Sequence, residues 1–236
     1  TTPLYYVNDK PHLGSIYTTL ICDSIARYKR LSGEEVIFIT GVDEHGLKIQ
    51  RTASNKGVDP QTHCDEISNI FIQNWKDWDI TYDKFIRTSS KKHESIVNEF
   101  YSRVRESNDI YMGVQKGWYC VGCEEFKDNP DNSPTHKCPI HQKTLEWKNE
   151  ENLFFKLSKY QSQIEELINN PSFIHPIERR NEIINFVSKG LKDFSISRTN
   201  VSWGIKVPDT RNHTFYVWFD ALLGYVSAIS QHKNNP

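Results

Sequence analysis

The sequence predicts an α/β fold in which a parallel sheet is split by an inserted, zinc-containing connective module. Three observations lead to this prediction. The first forty residues alternate as strand, helix and strand, the middle of the chain loses that alternation among glycines, prolines and clustered cysteines, and strand character returns after Asp193. With 236 residues, of which 37% are hydrophobic, the chain is long enough for one large domain or two modest ones.

The composition excludes several classes of protein. Aromatic residues make up 12% of the chain, and 11 glycines and 10 prolines are too few for a disordered or fibrous protein. A net charge of −1 argues against a surface that binds nucleic acid throughout, although a local basic groove is compatible with it. No apolar run approaches the roughly 18 residues that span a bilayer, so we expect no membrane partner. Because no Met precedes Thr1, we expect an excerpt of a longer protein.

The first half of the chain carries the α/β pattern. Residues 4–7 and 36–40 are apolar runs typical of buried strands, and Gly33 stands where a helix between them would end. Asp59 and Pro60 form a helix start, residues 85–87 are a further strand candidate, and residues 96–104 continue as a helix. The first predicted helix has apolar residues three and four apart, at Tyr17, Leu20, Ile21, Ile25, Tyr28 and Leu31.

The pattern changes from about Asp109 onward. Three glycines, the cysteine cluster and the turn-rich run at 129–134 predict an inserted module, followed by helices near 160–169 and 177–189, the second ended by Gly190. Residues 215–219 then predict a buried strand, and a helical pattern follows it. We therefore divide the chain into residues 1–107, the first half of a Rossmann-type domain; 108–194, the insertion, with a zinc knuckle at about 117–145; and 195–236, the start of the second half.

Four residues in that insertion have the spacing of a metal site. Cys120 and Cys123 are separated by two residues, as are Cys138 and His141, and fourteen residues lie between the pairs. Two such knuckles predict one structural Zn²⁺, with four protein ligands and no open position for catalysis. His136 is the alternative fourth ligand, but only one residue separates it from Cys138. Five cysteines without a disulfide-like distribution favour a reducing compartment.

Polar residues follow three of the predicted strands, where ligands of open parallel sheets bind. Asn8, His12, Gly14 and Ser15 surround the start of the first helix, which suits a phosphate. The second loop carries two carboxylates, Asp43 and Glu44, and a carboxylate there could hold an ammonium group, although residues 43–45 could also form a solvated turn or a metal site. The third loop, at 218–221, carries Trp218, with Tyr225 one helical turn beyond; singly, either aromatic could belong to the core. Neither the dinucleotide fingerprint nor the P-loop motif occurs.

Taken together, these segments resemble the class I aminoacyl-tRNA synthetases, and most closely the methionyl-tRNA synthetase family. Residues 1–8 running into His12-Leu-Gly-Ser15 are similar to the first strand and the His-Ile-Gly-His motif of that family. Similar blocks occur at 41–46, at 196–198 with 203–204, and at 216–221, in the same order. The resemblance covers essentially the whole chain.

The resemblance implies that methionine and ATP form methionyl adenylate, and that the methionyl group then passes to tRNA(Met). It implies that Asn8, His12, Gly14 and Ser15 contact ATP with its Mg²⁺, and that Arg198 counters phosphate charge. Asp43 would hold the methionine ammonium group. The expected catalytic set is thus His12, Ser15, Asp43 and Arg198. The expected side-chain pocket is Leu4, Tyr6, Trp218, Ala221, Leu222 and Tyr225, with Asp43 beside it.

The sequence departs from the family pattern in two ways. Ser15 replaces the second histidine of the family tetrapeptide, and the family's Lys-Met-Ser-Lys-Ser loop and anticodon-binding domain are not in these residues. We therefore expect these residues alone to be poorly active. Two alternatives stay open: a class I synthetase for another apolar amino acid, and a non-catalytic zinc-knuckle module that binds nucleic acid or a partner protein. We expect a cytoplasmic location, with a mitochondrion or another organelle as the alternative.

Overall fold

The computed structural model of the chain describes residues 1–127 and 135–230. Its first sheet contains the strands β1 (Tyr5–Tyr6), β2 (Ile39–Asp43) and β3 (Lys84–Arg87), which are parallel and neighbour one another in that order. This arrangement confirms the predicted α/β class and places the loops after β1 and β2 side by side. Strand β2 starts and ends three residues later than predicted, so Asp43 is its last residue and not part of a loop.

Four helices connect and follow these strands. They are α1 (Leu13–Leu31), α2 (Leu47–Asn55), α3 (Pro60–Asp77) and α4 (Lys91–Glu106). As predicted, the Asp59 carboxylate caps α3 by accepting from two backbone N–H groups, and Gly33 has a φ of +83° after the last turn of α1. Helix α2 is not predicted from the sequence; it buries Leu47, Ile49 and Ala53.

The core of this half lies between the sheet and α3. Phe71 and Trp75 of α3 are buried against Tyr5, and the Tyr5 and Phe71 rings stack with centroids 5.6 Å apart. Helix α1 instead turns small and polar residues inward, among them Thr19 and Asp23. Of its periodic apolar residues, Leu20 packs against the core, and the other five are exposed: Tyr17, Ile21, Ile25, Tyr28 and Leu31.

The inserted segment forms a second, antiparallel sheet that the sequence did not indicate. Its strands are β4 (Ile110–Cys120), β5 (Glu125–Lys127), β6 (Glu146–Phe155) and β7 (Phe194–Ser195), in the order β5-β4-β6-β7. A short 3₁₀ helix (Leu157–Tyr160) leads into α5 (Gln161–Asn169) and α6 (Ile177–Val187), which match the two predicted helices. The turn-rich run at 129–134 lies outside the described residues.

After the insertion, the chain does not rejoin the parallel sheet within the described residues. Strands β8 (Ser197–Arg198) and β9 (Thr214–Phe215) pair antiparallel with each other, and helices α7 (Val217–Leu222) and α8 (Gly224–Ile229) follow. The predicted strand at 215–219 is therefore wrong beyond Phe215. Val217, Asp220 and Ala221 turn inward at helical spacing, and a short apolar run does not distinguish a strand from such a helix.

Helix α8 packs on the parallel sheet. Gly224 lies so close to β1 that a Cβ atom there would be 2.7 Å from Leu4 Cδ1, and Ala228 is buried with Ile39 and Ile86. The segment after the insertion thus returns to the parallel sheet. Across residues 1–127 and 135–230, no helix combines the length and apolar character needed to cross a membrane.

Candidate active site

The loop after β1 presents an open helix N-terminus. His12 is the N-cap of α1, and its Nδ1 accepts a hydrogen bond from the Gly14 backbone N–H at 3.0 Å. His12 and Gly14 are exposed, Asn8 is half-buried, and Ser15 is buried on the inner face of α1. No acidic side chain lies in the first turn of α1, so backbone N–H groups and the positive end of the helix dipole face outward together. This loop can bind an anion.

Asp43 ends β2 directly beside Tyr6 of β1. Its carboxyl group is 7% exposed, and Oδ1 has no hydrogen-bond partner among the described residues. Burial, followed by the charges of Asp220 and Glu124, raises the pKa of Asp43 well above its usual value. A buried carboxylate among other acids is costly by itself, and a bound cation would offset that cost.

Glu44, the next residue, is held by protein groups. Its carboxylate accepts from the Ser68 and Ser89 hydroxyls, each at 2.6 Å, and from Arg87 Nε at 2.9 Å. These hydrogen bonds tie the end of β2 to α3 and β3. Glu44 is therefore a structural anchor, and Asp43 is the carboxylate at this strand end with an oxygen left for a ligand.

A second buried carboxylate joins three elements. Asp220 of α7 is fully buried, with Oδ2 2.6 Å from His45 Nδ1 and Oδ1 2.6 Å from His93 Nε2. Burial alone would raise the pKa of Asp220, but the two imidazoles hold it below its usual value. No role for Asp220 or His93 is predicted from the sequence. Nothing in the sequence shows that residues 127 positions apart meet, and the only signal is that Asp220 lies in the family-like block at 216–221.

Arg198 of β8 is buried among aromatic rings. Its Cζ lies 4.0 Å from the centroid of the Tyr216 ring, and the rings of Tyr119 and Phe126 are within about 6 Å. One terminal nitrogen of Arg198 donates to Ser195 Oγ at 2.8 Å, while Nε has no partner in the described residues. The guanidinium is thus fixed in place with donor capacity remaining.

The residues predicted for the side-chain pocket fall into two groups. Tyr6 and Tyr225 lie near Asp43, Leu4 lies against Gly224, and the Tyr225 hydroxyl donates to the Thr2 carbonyl at 3.0 Å. Ala221 is buried in α7 beside Asp220. Trp218 and Leu222 are more than half exposed and line an apolar cavity of about 630 Å³ with Phe100, Tyr216 and Phe219.

The predicted metal ligands come together in the inserted module. Cys123 Sγ lies 3.6 Å from Cys138 Sγ and 3.3 Å from His141 Nδ1, and Cys120 Sγ lies 3.8 Å from the same nitrogen. All four ligand atoms are within 4.8 Å of one another. Zn–S bonds of about 2.3 Å at tetrahedral angles place ligand atoms about 3.8 Å apart, so this donor set fits Zn²⁺. His136 is not a member of the cluster.

The whole chain matches a model of one known protein family. A family model described as tRNA synthetases class I (M) matches residues 1–144 and 127–236, which together cover the whole chain. The chain belongs to this family of class I tRNA synthetases. The resemblance inferred from the sequence motifs is therefore confirmed.

Relatives of this class I synthetase chain are bacterial and plant proteins. Methionine–tRNA ligase from Nostoc sp. (strain PCC 7120 / SAG 25.82 / UTEX 2576) is 55% identical over all of this chain, which covers 45% of that protein. The chloroplastic/mitochondrial methionine–tRNA ligase of Arabidopsis thaliana is 54% identical over 98% of the chain and 38% of the relative. The chain thus spans about half the length of the relatives that it matches or less.

A solved structure shows the same fold. Mycobacterium tuberculosis methionyl-tRNA synthetase bound by methionyl-adenylate superposes with a TM-score of 0.93 at 37% identity. The match covers 100% of this chain and 47% of that one. It confirms the predicted fold class.

Proposed function

We propose that this chain carries the methionine- and ATP-binding part of a methionine–tRNA ligase, which forms methionyl adenylate and passes the methionyl group to tRNA(Met). The observation that carries the proposal is Asp43, a buried carboxylate with an unpaired oxygen at the carboxyl end of β2. An α-ammonium group would supply the missing charge and hydrogen bond. The methionyl-adenylate complex of the M. tuberculosis relative supports the choice of ligand.

Adenylation requires positioning and charge neutralisation from the protein. An oxygen of the substrate carboxylate, already ionised at neutral pH, attacks the α-phosphorus of ATP, and the bond to the pyrophosphate oxygen breaks. No general acid or base is needed for this step. His12 and Gly14, with the open N-terminus of α1, bind the phosphates, and Ser15 and Asn8 border them. Arg198 neutralises developing negative charge near the reacting phosphate.

Mg²⁺ enters this reaction as the metal complex of ATP. The groups exposed at the first loop are an imidazole and backbone N–H groups, which suit phosphate oxygens and not a hard cation. Phosphate oxygens and water would therefore be the ligands of Mg²⁺, and the ion would screen the triphosphate charge as the attacking oxygen approaches.

The methionine side chain would lie between Asp43 and the surrounding apolar residues. Tyr6 and Tyr225, which lie near Asp43, would border it together with Leu4 and Ala221. Trp218 and Leu222 would contribute from the apolar cavity that they line. A polarizable thioether gains from aromatic neighbours, which favours methionine over a branched aliphatic side chain.

Zn²⁺ would be held by Cys120, Cys123, Cys138 and His141. With four protein ligands the ion supplies structural cross-linking and no open coordination position. The cluster lies within residues 108–194, the proposed insertion. The expected location is the cytoplasm, with an organelle as the alternative, because a bacterial ligase and a chloroplastic/mitochondrial ligase are similar to the chain to almost the same degree.

Pyrophosphate exchange on the full-length protein tests the proposal. We expect exchange with methionine and none with leucine, isoleucine or valine. Exchange with leucine alone would instead favour a synthetase for another apolar amino acid. Binding of nucleic acid or a partner protein without exchange for any amino acid would favour the non-catalytic alternative.

A further inference from the structure

Glu124 reaches from the cysteine cluster into the active site. It directly follows Cys123, has a φ of +55° and is 4% exposed. Its Oε1 accepts the Lys48 backbone N–H at 2.7 Å, at the first turn of α2, and its Oε2 lies 2.8 Å from the Tyr6 hydroxyl. A single side chain of the inserted module thus contacts both α2 and β1.

The loop between β2 and α2 is shaped around this carboxylate. Gly46 has a φ of +109°, and a Cβ atom there would lie 2.4 Å from Glu124 Oε2 and 2.7 Å from the Tyr6 hydroxyl oxygen. Any side chain at position 46 would therefore occupy the space of the Glu124 carboxylate. The Tyr6 hydroxyl also lies 2.9 Å from the His45 carbonyl oxygen, so it bridges Glu124 to the segment that follows Asp43.

Apolar contacts hold the module in the same place. Leu47 at the start of α2 is buried with Tyr119 and Val201, and Val121 and Phe126 pack against this cluster. Tyr119 and Phe126 are also two of the rings around Arg198. Strands β4 and β5 therefore support the candidate active site at α2 and at Arg198. Glu124, which lies between these two strands, adds the hydrogen bond to Tyr6.

We propose that Glu124 is a positioning residue for the amino-acid substrate, acting through Tyr6 and the first turn of α2. Tyr6 is the register partner of Asp43, so the hydroxyl bridge fixes the wall of the ammonium site. If the carboxylate is withdrawn, Tyr6 and the Lys48 amide lose a partner in a buried place, and affinity for methionine falls. The inserted module thereby influences amino-acid binding without contacting the substrate. This inference rests on the proposed function.

Two substitutions separate reach from charge. Glu124→Asp keeps the charge but shortens the side chain by one methylene, and aspartate tolerates a positive φ at least as well as glutamate. Glu124→Gln removes the charge but keeps the reach: the amide oxygen can accept from Lys48, and the amide nitrogen can donate to Tyr6 while the Tyr6 hydroxyl donates to His45. Glu125→Asp is the matched control, because Glu125 is the next residue and is exposed.

The test measures KM for methionine and for ATP in pyrophosphate exchange by the full-length protein, together with the zinc content of each variant. We expect Glu124→Asp to raise KM for methionine about tenfold, with KM for ATP and zinc content unchanged. Glu124→Gln and Glu125→Asp should stay within about twofold of the parent protein. Hydrogen exchange at the Lys48 amide should be faster in Glu124→Asp alone.

An unchanged KM for methionine in Glu124→Asp overturns the inference. So does a larger defect in Glu124→Gln than in Glu124→Asp, since that order would assign a charge role to the residue. A Glu124→Asp protein with depleted zinc and equal losses for both substrates would show a merely structural role and would also overturn it. If the parent protein shows no methionine-dependent pyrophosphate exchange, the proposed function fails. Amide hydrogen exchange at Lys48 then still decides whether Glu124 holds α2.

Discussion

Replacement of Asp43 by asparagine should weaken methionine binding and stabilise the folded protein. The two effects have one cause, the buried carboxyl group with its unpaired oxygen. Asparagine has nearly the same shape and cannot carry the charge. The substitution therefore isolates the charge from the packing of β2 against β1.

The magnitudes follow from burial and pairing. Removing one partner of a buried charge pair costs about 3–5 kcal/mol, so methionine should bind about 100-fold to several thousand-fold more weakly. The free protein gains from the change because burial and the neighbouring acids raise the pKa of Asp43. Because the pKa of Asp43 is higher in the folded protein than in the unfolded chain, its contribution to stability is complete below the unfolded-state pKa, about 3.9. That contribution is lost as pH rises through the folded-state pKa of Asp43. At neutral pH the variant should be more stable by about 1–2 kcal/mol.

Thermal unfolding of the full-length protein, with and without methionine, measures both effects. Without ligand, Asp43→Asn should unfold at a higher temperature than the parent at pH 8, and the difference should shrink toward pH 5. Methionine at about 100 times the Kd of the parent should stabilise the parent by about 2.7 kcal/mol and the variant by about 0.4 kcal/mol or less. Asp209→Asn, at an exposed carboxylate, is the control. A variant that is stabilised by methionine as strongly as the parent would refute the role of Asp43.

Three further predictions concern the other groups. His12→Asn, which keeps an N-cap side chain, should slow pyrophosphate exchange while changing the free energy of unfolding by no more than about 0.5 kcal/mol. Loss of stability with a normal rate of pyrophosphate exchange would assign His12 to capping alone. Asp220→Asn should destabilise the protein by about 3–5 kcal/mol at pH 7 because His45 and His93 lose their carboxylate partner. The pKa of Asp220 is lowered in the folded protein, so the loss of stability in the variant should be complete above the unfolded-state pKa and vanish as pH falls through the folded-state pKa. Denaturation of both proteins at pH 7 and below pH 4 will measure this. Cys138→Ser, or a strong chelator, should remove bound zinc, as measured by elemental analysis, and increase amide hydrogen exchange across residues 110–150. Zinc-free protein with unchanged amide protection in those residues would contradict a structural metal.

The sequence identifies those site residues whose chemistry depends on local spacing. His12 and Gly14 at a helix start and the Cys-x₂-Cys and Cys-x₂-His pairs are short-range patterns, and the structure brings each set together. Glu124 and Asp220 could not be assigned in this way. Each acts through partners that only the folded chain supplies, at Tyr6 and Lys48 in one case and at His45 and His93 in the other.

Periodicity gives the fold class but not the orientation of each face. The apolar positions of α1 correctly predict a helix, yet Tyr17 and Ile25 are exposed while Thr19 and Asp23 face the sheet. The reason is visible in the hydrogen bonds. The Tyr5 hydroxyl lies 2.8 Å from Thr19 Oγ1, and Asp23 accepts from the Thr81 backbone and hydroxyl, so polar contacts bind the inner face of α1.

Gly41 lies inside β2, beyond the apolar run that predicts this strand. Glycine disfavours a strand interior, yet Gly41 pairs with Ile86 within the sheet. A Cβ atom at Gly41 would lie 2.3 Å from the Ile86 carbonyl oxygen, so the close approach of β3 requires glycine. Gly41→Ala should therefore cost about 3 kcal/mol or more in urea denaturation and displace Asp43, two residues along the strand. Gly204→Ala, where a Cβ atom would lie 3.3 Å from Thr214 Cβ, is the control and should cost about 1 kcal/mol or less. Equal stability of the two variants would mean that β2 and β3 can separate without loss, and the account of how the sheet positions Asp43 would be wrong.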